Sequence, residues 1–226
     1  MSNTGKIYLT AMEAVSDIPD GAVIMLGGFG MPGAAQNLIK ALMDHGAKQL
    51  TCISNTCLAP RKDEYDVSNL LDNGQVKKII TTFIGDPNQN VPAVEMWRSR
   101  KLEIELITQG VLTERIRAAG VGIGGFFLPD MTVDLSEAER DKRAFSGNLC
   151  TFEEPLFADY ALVSAHTGDT LGNLYYRLCQ RNFNPLMAAA ATITIAEVRE
   201  LVAPGNIDPE KVHTPGIYVH RLVETK

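Results

Sequence analysis

The chain has 226 residues, a formal net charge of −6, 45% hydrophobic and 21% charged residues. That length suits one large domain or two small ones, and the composition is that of an ordinary globular protein. The acidic balance argues against a nucleic-acid surface, because no Lys/Arg block offsets it; "RSRK" and "ERDKR" are short, mix with acids and read as solvated faces.

The N-terminal "MSNTGKIYLT" is polar and lacks the apolar segment of a secretory signal. The longest apolar run, "PLMAAAATITIA" from Pro185 to Ala196, is shorter than the roughly 20 residues of a membrane span; it reads as a buried helix passing into a buried strand. Cys52, Cys57, Cys150 and Cys179 form no C-x-x-C pair and have no histidine at metal spacing. They read as buried or free thiols in a reducing cytoplasm, and the expected location is cytoplasmic.

In chain order, "AVIML" predicts a strand, and the glycine-rich stretch Gly27 to Gly33 follows it. "AAQNLIKALMDHG" carries Leu38, Ile39, Leu42 and Met43 at helical spacing and stops at Gly46. "QLTCISN" is a second strand, "DVSNLLDNG" a short helix, "KKIITTFI" a third strand, and "PAVEMWRSRK" a helix with Pro92 near its start. "EIELITQG" is a fourth strand and "VLTERIRAAG" a helix, with Gly120 beyond its end. The rhythm then breaks: Val121 to Leu156 reads as an irregular or hairpin-containing insertion that can serve as a flap. "ADYALVSAH", "GNLYY", "NFNPLMAAAA" and "TITIAEV" read as strand, turn-strand, helix and strand, before a turn-rich tail with a final strand.

Apolar strands alternating with helices imply an α/β fold, a mostly parallel sheet with helices on both faces. Right-handed crossovers put the loops Gly27–Gly33, Asn55–Asp66 and Gln109–Gly110 at the carboxyl edge, where such sheets place ligands. With no repeat and no low-complexity linker, residues 1–226 read as a single domain.

Gly28, Gly30 and Gly33 spell G-x-G-x-x-G after the first of these strands. A dinucleotide site also needs an acid at the end of the second strand, about 20 residues on, for the ribose hydroxyls. That strand ends at Ser54-Asn55-Thr56, and no Asp or Glu lies between Asp44 and Asp63. A purely structural turn is the other local reading of the glycines.

A third reading covers more of the chain. "DGAVIMLGGFGMPG" (Asp20 to Gly33) resembles the glycine-rich stretch of the alpha subunit of two-subunit family I CoA-transferases, the 3-oxoacid and acetate/acetoacetate type. One departure is Ala35 where the family has Pro, with Pro32 inside the loop instead. "TQGVLTERIRAAGVGIGGFF" (Thr108 to Phe127), "ADYALVSAHTGDTLGNLYYRLCQRNFNPLMAAAA" (Ala158 to Ala191) and "VHTPGIYVHRLV" are similar to family segments in the same order.

The resemblance implies the CoA-transferase, sugar-phosphate-isomerase-like fold and transfer of CoA from an acyl-CoA to a short-chain or 3-oxo carboxylate. A glutamate attacks the thioester, and an acyl anhydride and then a glutamyl-CoA thioester follow. That nucleophile sits in a Ser-Glu-Asn-Gly motif of the beta subunit. This chain lacks the motif, so no catalytic nucleophile is expected in it; a beta-subunit partner is, in an alpha2beta2 hetero-oligomer. Coenzyme A or acyl-CoA is then a substrate, with no permanently bound cofactor and no metal.

The expected CoA-approach loop is Gly27, Gly28, Phe29, Gly30, Met31, Pro32 and Gly33, whose backbone N–H groups at a helix start can face an anionic or polar group. Phe29 suits an acyl or pantetheine chain, or a core. The expected substrate contacts are Asn55, Thr56, Gln109 and Gly110. Asn55 matches the first Asn of the family's "S-N-N-A-G", Thr56 replaces the second, and Gln109 matches a family glutamine close to substrate. Two stretches depart from the family, "CLAPRKDEYD" after Thr56 and "LPDMTVDLSEAERDKR" (Leu128 to Arg143); they motivate a second reading, a diverged acyl-CoA hydrolase or hydratase. Glu114 reads as an ion-pair partner of its neighbouring arginines and Glu153-Glu154 as surface or hydrogen-bonded acids. His45 suits a helix end, and His166 follows a strand within reach of the active edge, with a structural role expected for each histidine before a catalytic one.

Overall fold

A computed structural model describes residues 5–58, 62–85, 92–129 and 141–225. In chain order the elements are β1 (Ile7–Tyr8), α1 (Ala11–Val15), β2 (Val23–Leu26), α2 (Gln36–His45), β3 (Leu50–Ser54), α3 (Val67–Asp72), β4 (Val76–Thr81), α4 (Pro92–Arg98), β5 (Glu103–Leu106) and α5 (Gln109–Gly120). Then come β6 (Phe126–Pro129), β7 (Lys142–Phe145), β8 (Asn148–Glu153), β9 (Ala158–Asp169), β10 (Leu174–Tyr175), α6 (Asn184–Ala190), β11 (Ala191–Val202) and β12 (Arg221–Glu224).

The main sheet runs β1-β12-β11-β9-β2-β3-β4-β5, every pair parallel, with β10 antiparallel to β9. Alternation along each strand divides the core in two. Ile24, Leu26, Leu50, Cys52 and Ile79 face one way, against α1 to α4. Met25, Ile53, Ala161 and Val163 face the other, against α5 and α6. The chain steps outward from β2 through β5 and returns to pair β9 with β2. The strand order therefore reverses between β2 and β9, the crevice where open α/β sheets bind ligands.

Several boundaries differ from the sequence expectation. Gly120 is the last residue of α5, not beyond it. A Cβ there would come 3.1 Å from Ala189 Cβ, so its missing side chain lets α5 lie close against α6. Gln109 opens α5 instead of closing a strand, after Thr108 in extended conformation. The strands expected at "ADYALVSAH" and "TITIAEV" each extend to 12 residues, because β9 and β11 pair with each other along almost their full length. Within the insertion, β6-β8-β7 form a separate antiparallel sheet, and Ser146 and Gly147, both at positive φ (49° and 83°), make the two-residue turn between β7 and β8. The centre of the expected flap, residues 130–140, lies outside the described residues, as do residues 59–61.

Candidate functional site

Four loops leave the carboxyl ends of adjacent strands: 27–35 after β2, 55–58 after β3, 82–85 after β4 and Ile107–Thr108 after β5. The first is drawn tight by long-range contacts. The Gly27 N–H donates to the Leu162 carbonyl at 2.9 Å, crossing to β9. A Cβ on Gly27 would fall 1.9 Å from Asn184 Oδ1, so only glycine leaves room for that amide. Asn184 is fully buried; its Oδ1 accepts from the Ser164 N–H at 3.1 Å, and its Nδ2 donates to the carbonyls of Gly33 at 3.0 Å and Gln180 at 2.8 Å. One amide thus ties the switch point, the glycine loop and the start of α6.

Within the loop, Gly28, Gly30 and Gly33 take φ of 120°, 61° and 80°, values that side chains resist. The Phe29 N–H closes a turn on the Pro32 carbonyl at 3.1 Å, and the Gly30 N–H donates to Thr56 Oγ1 at 3.1 Å. The hydroxyl that replaces the family's second Asn is therefore the clasp between the first two loops. The N–H groups of Gly28, Met31 and Gly33 have no acceptor among the described residues.

The N-terminus of α2 is occupied from within the chain. Glu197, on β11 and 5% exposed, accepts from the Asn37 N–H at 2.9 Å and the Leu38 N–H at 3.0 Å. Burial raises its pKa to about 7 despite those hydrogen bonds. A carboxylate stands where a dinucleotide loop would receive its pyrophosphate, a second argument against that reading beside the missing ribose acid. Sequence reasoning missed Glu197, which lies 160 residues from the helix it caps; a lone acid inside the apolar strand "TITIAEV" was the available signal.

A cavity of about 520 Å³ opens beside this loop and gathers most of the expected site residues: Phe29, Gly30, Met31, Pro32, Asn55, Thr56 and Gln109. Leu58, Thr82 and Phe83, which sequence reasoning did not single out, complete the described lining. Gly27 and Gly28 hold the loop from behind, Gly110 is exposed as the second residue of α5, and Gly33 lines a neighbouring cavity of about 730 Å³ with Gln36, His166, Arg177 and Glu197.

Asn55 stands out in the first cavity. Its carbonyl takes three donors, Thr82 N–H at 3.1 Å, Thr82 Oγ1 at 2.8 Å and Thr81 Oγ1 at 3.1 Å, which fix its backbone. Its side chain is 1% exposed, and neither Oδ1 nor Nδ2 has a partner among the described residues. An unpaired buried amide costs about 1–3 kcal/mol, and in a native site it points to a group that arrives later. Elsewhere, Glu114 pairs with Arg117 at 2.7 Å, as expected, while Arg115 turns to Glu105 at 2.8 Å. Glu153 is buried with its carboxylate 3.9 Å from Arg115, and His45 Nε2 lies 3.0 Å from the Ile18 carbonyl. Among the described residues no helix is long and apolar enough to cross a membrane.

The Coenzyme A transferase family profile matches residues 8–225. The A subunit of the 3-oxoadipate CoA-transferase of Pseudomonas putida is 44% identical over 96% of this chain and 93% of its own length. The A subunit of the probable succinyl-CoA:3-ketoacid coenzyme A transferase of Bacillus subtilis (strain 168) is 42% identical over 97% of this chain and 90% of its own length. Among solved structures, an acyl-CoA transferase of E. coli O157:H7 in a thioester complex with CoA superposes with a TM-score of 0.82 at 25% identity, covering 97% of this chain and 47% of that longer one. A variant of the decarboxylase AibA/AibB superposes with a TM-score of 0.78 at 26% identity, covering 97% of this chain and 83% of that one.

Proposed function

The chain belongs to the coenzyme A transferase family, and from that premise we propose that the cavity beside the glycine loop is its half of a shared acyl-transfer site. The chain is the alpha subunit of a CoA-transferase. A separate beta subunit supplies the nucleophilic glutamate, in a cytoplasmic assembly of two alpha and two beta chains, with this chain as one domain in it. Acyl-CoA and a short-chain or 3-oxo carboxylate are the substrates, and CoA passes through without any permanently held cofactor.

In the reaction the partner's glutamate carboxylate attacks the thioester carbonyl and expels CoA thiolate, leaving an acyl-glutamyl anhydride. The thiolate attacks the glutamyl carbonyl, which releases the first acid and leaves glutamyl-CoA. The second acid repeats the two steps in reverse and departs as the new thioester, restoring the glutamate. Each addition places charge on a carbonyl oxygen, and donors fixed in advance stabilise it. The Asn55 amide and the Gln109 amide line the same cavity and take that role, as donors that do not compete as bases. Thr56 and the loop Gly27 to Gly33 hold the wall, with Phe29, Gly30, Met31 and Pro32 bordering the incoming thioester; Gly110 leaves the approach to Gln109 open.

The observation that carries this reading is the buried Asn55 amide, without a partner among the described residues, in a cavity that already collects residues matching the family motif. The test is co-expression with the beta subunit, incubation with acetyl-CoA or succinyl-CoA and a panel of acids, then borohydride, which reduces a glutamyl-CoA thioester. Inactivation that requires acyl-CoA, with the modified Glu on the beta subunit, supports the reading. An active complex that resists borohydride and only releases CoA supports the hydrolytic alternative.

A further inference from the structure

We propose that the acid accepting CoA in this site is a monocarboxylate, plain or 3-oxo, whose apolar tail lies between the phenyl rings of Phe29 and Phe83. This inference rests on the transfer reading above and names the substrate class of that same site.

The walls of the cavity carry it first. Phe29 is 46% exposed and Phe83 48% exposed, and both line the cavity together with Leu58, Met31 and Pro32. Single exposed apolar residues are ordinary, but two half-bare phenyls over one concave site are apolar area waiting to be covered. Among the described lining residues the polar groups are Asn55, Thr56, Thr82 and Gln109, all uncharged. The site thus offers neutral donors for one carboxylate head and rings for what is attached to it. A second carboxylate at the far end of the acceptor would shed its water against the rings.

The backbone that carries these walls is also held before any ligand arrives. Thr56 forms a parallel bridge with Phe83, and the Cys57 N–H donates to the Phe83 carbonyl at 2.8 Å. Thr56 Oγ1 in turn accepts from the Gly30 N–H, next to Phe29, at 3.1 Å. The Phe29 ring lies 6.5 Å from that of Phe183, a buried residue just before α6. The backbones of both phenylalanines are therefore referred to one clasp, Thr56, which holds the two side chains at the same cavity and lowers the cost of ordering it around a tail.

The experiment uses acetyl-CoA as donor and the complex of this chain with its beta subunit. Acceptors are the straight-chain acids from propionate to octanoate and their 3-oxo counterparts, against succinate and adipate. The expected result is a rise in kcat/KM of roughly 4-fold per methylene until the cleft is filled, with each dicarboxylate about tenfold or more below the monocarboxylate of equal length. Phe83→Ala flattens that chain-length slope, and Phe83→Leu, the milder variant if the first fails to fold, restores part of it. Dicarboxylates transferred as fast as monocarboxylates, or rates indifferent to tail length, overturn the inference while the transfer reading stands; the beta subunit then covers the rings. CoA release with no acid acquiring it overturns the transfer reading and this inference with it.

Discussion

Replacing Glu197 with Gln asks whether the buried carboxylate at the start of α2 carries the electrostatic load that its surroundings imply. The group is 5% exposed and bonded to the N–H groups of Asn37 and Leu38. Burial lifts its pKa from an ordinary 4.5 to about 7. Each pH unit of such a difference corresponds to about 1.4 kcal/mol, so the whole difference is worth about 3 kcal/mol. The folded state holds the proton more tightly than the unfolded chain. Its contribution is therefore fully present below about pH 4.5 and is lost as pH rises through 7. Gln keeps an oxygen acceptor for the two N–H groups but does not titrate. Asp63, His166, Arg177 and Arg199 line the same cavity and are common to both proteins, so the difference between the two isolates Glu197. Denaturant unfolding of the full chain and the variant from pH 4.5 to 8.5 is the assay. The stability of the native chain relative to Glu197→Gln is expected to fall by about 3 kcal/mol across that window. A difference that stays flat refutes the reasoning, since the carboxylate would then be ionised throughout and its hydrogen bonds would outweigh its burial.

Three further outcomes follow from the same geometry. Gly27→Ala places a methyl 1.9 Å from Asn184 Oδ1; unfolding should show a loss of about 3 kcal/mol, and relief in the double variant with Asn184→Ala would mark the clash as the cause. Asn55→Ala removes an amide that has no partner among the described residues. Stability should hold or rise by about 1 kcal/mol while kcat/KM of the complex falls by about 100-fold or more; a parallel loss of both would make Asn55 a structural residue. Of the four thiols only Cys179 is exposed, and burial pushes the Cys52 thiol up to about 12 and the Cys57 thiol up as well. A thiol reagent under native conditions should therefore titrate one group rapidly, and a second fast group would contradict the burial of Cys52, Cys57 or Cys150.

The parts of the fold that were legible in the sequence are those whose signal is local. α2 shows its apolar stripe at Leu38, Ile39 and Leu42 and its stop at Gly46, which takes the left-handed φ of 83°. The parallel strands announce themselves as apolar runs because both faces are covered. β1 and α1 were not legible: two and five residues long, they are too short to show a period, and β1 is held by its pairing with β12 at the opposite end of the chain. The same limit explains Gly120. A helix-stop glycine and a glycine that admits a neighbouring helix look alike until the Ala189 contact is known.

The glycine loop shows how far a motif can be trusted. Gly28, Gly30 and Gly33 satisfy a dinucleotide pattern, and their positive φ values confirm only that a sharp turn is made. What decides the ligand comes from distant sequence. Glu197 fills the helix start where a pyrophosphate would bind, Asn184 fills the space that Gly27 leaves, and Thr56 takes the Gly30 N–H. Glu197 lies within β11, Asn184 opens α6 and Thr56 follows β3, and the strand order on either side of β2 brings all three to this loop. Among the described side chains, the Asn55 amide is left over, one step along the sheet and lining a cavity rather than the helix start. The chemistry of the loop is thus displaced sideways, from the α2 terminus to the space between β2, β3 and β4. Under the proposed transfer reading, an acyl group there meets amides and phenyl rings, and the attacking carboxylate comes from the beta subunit.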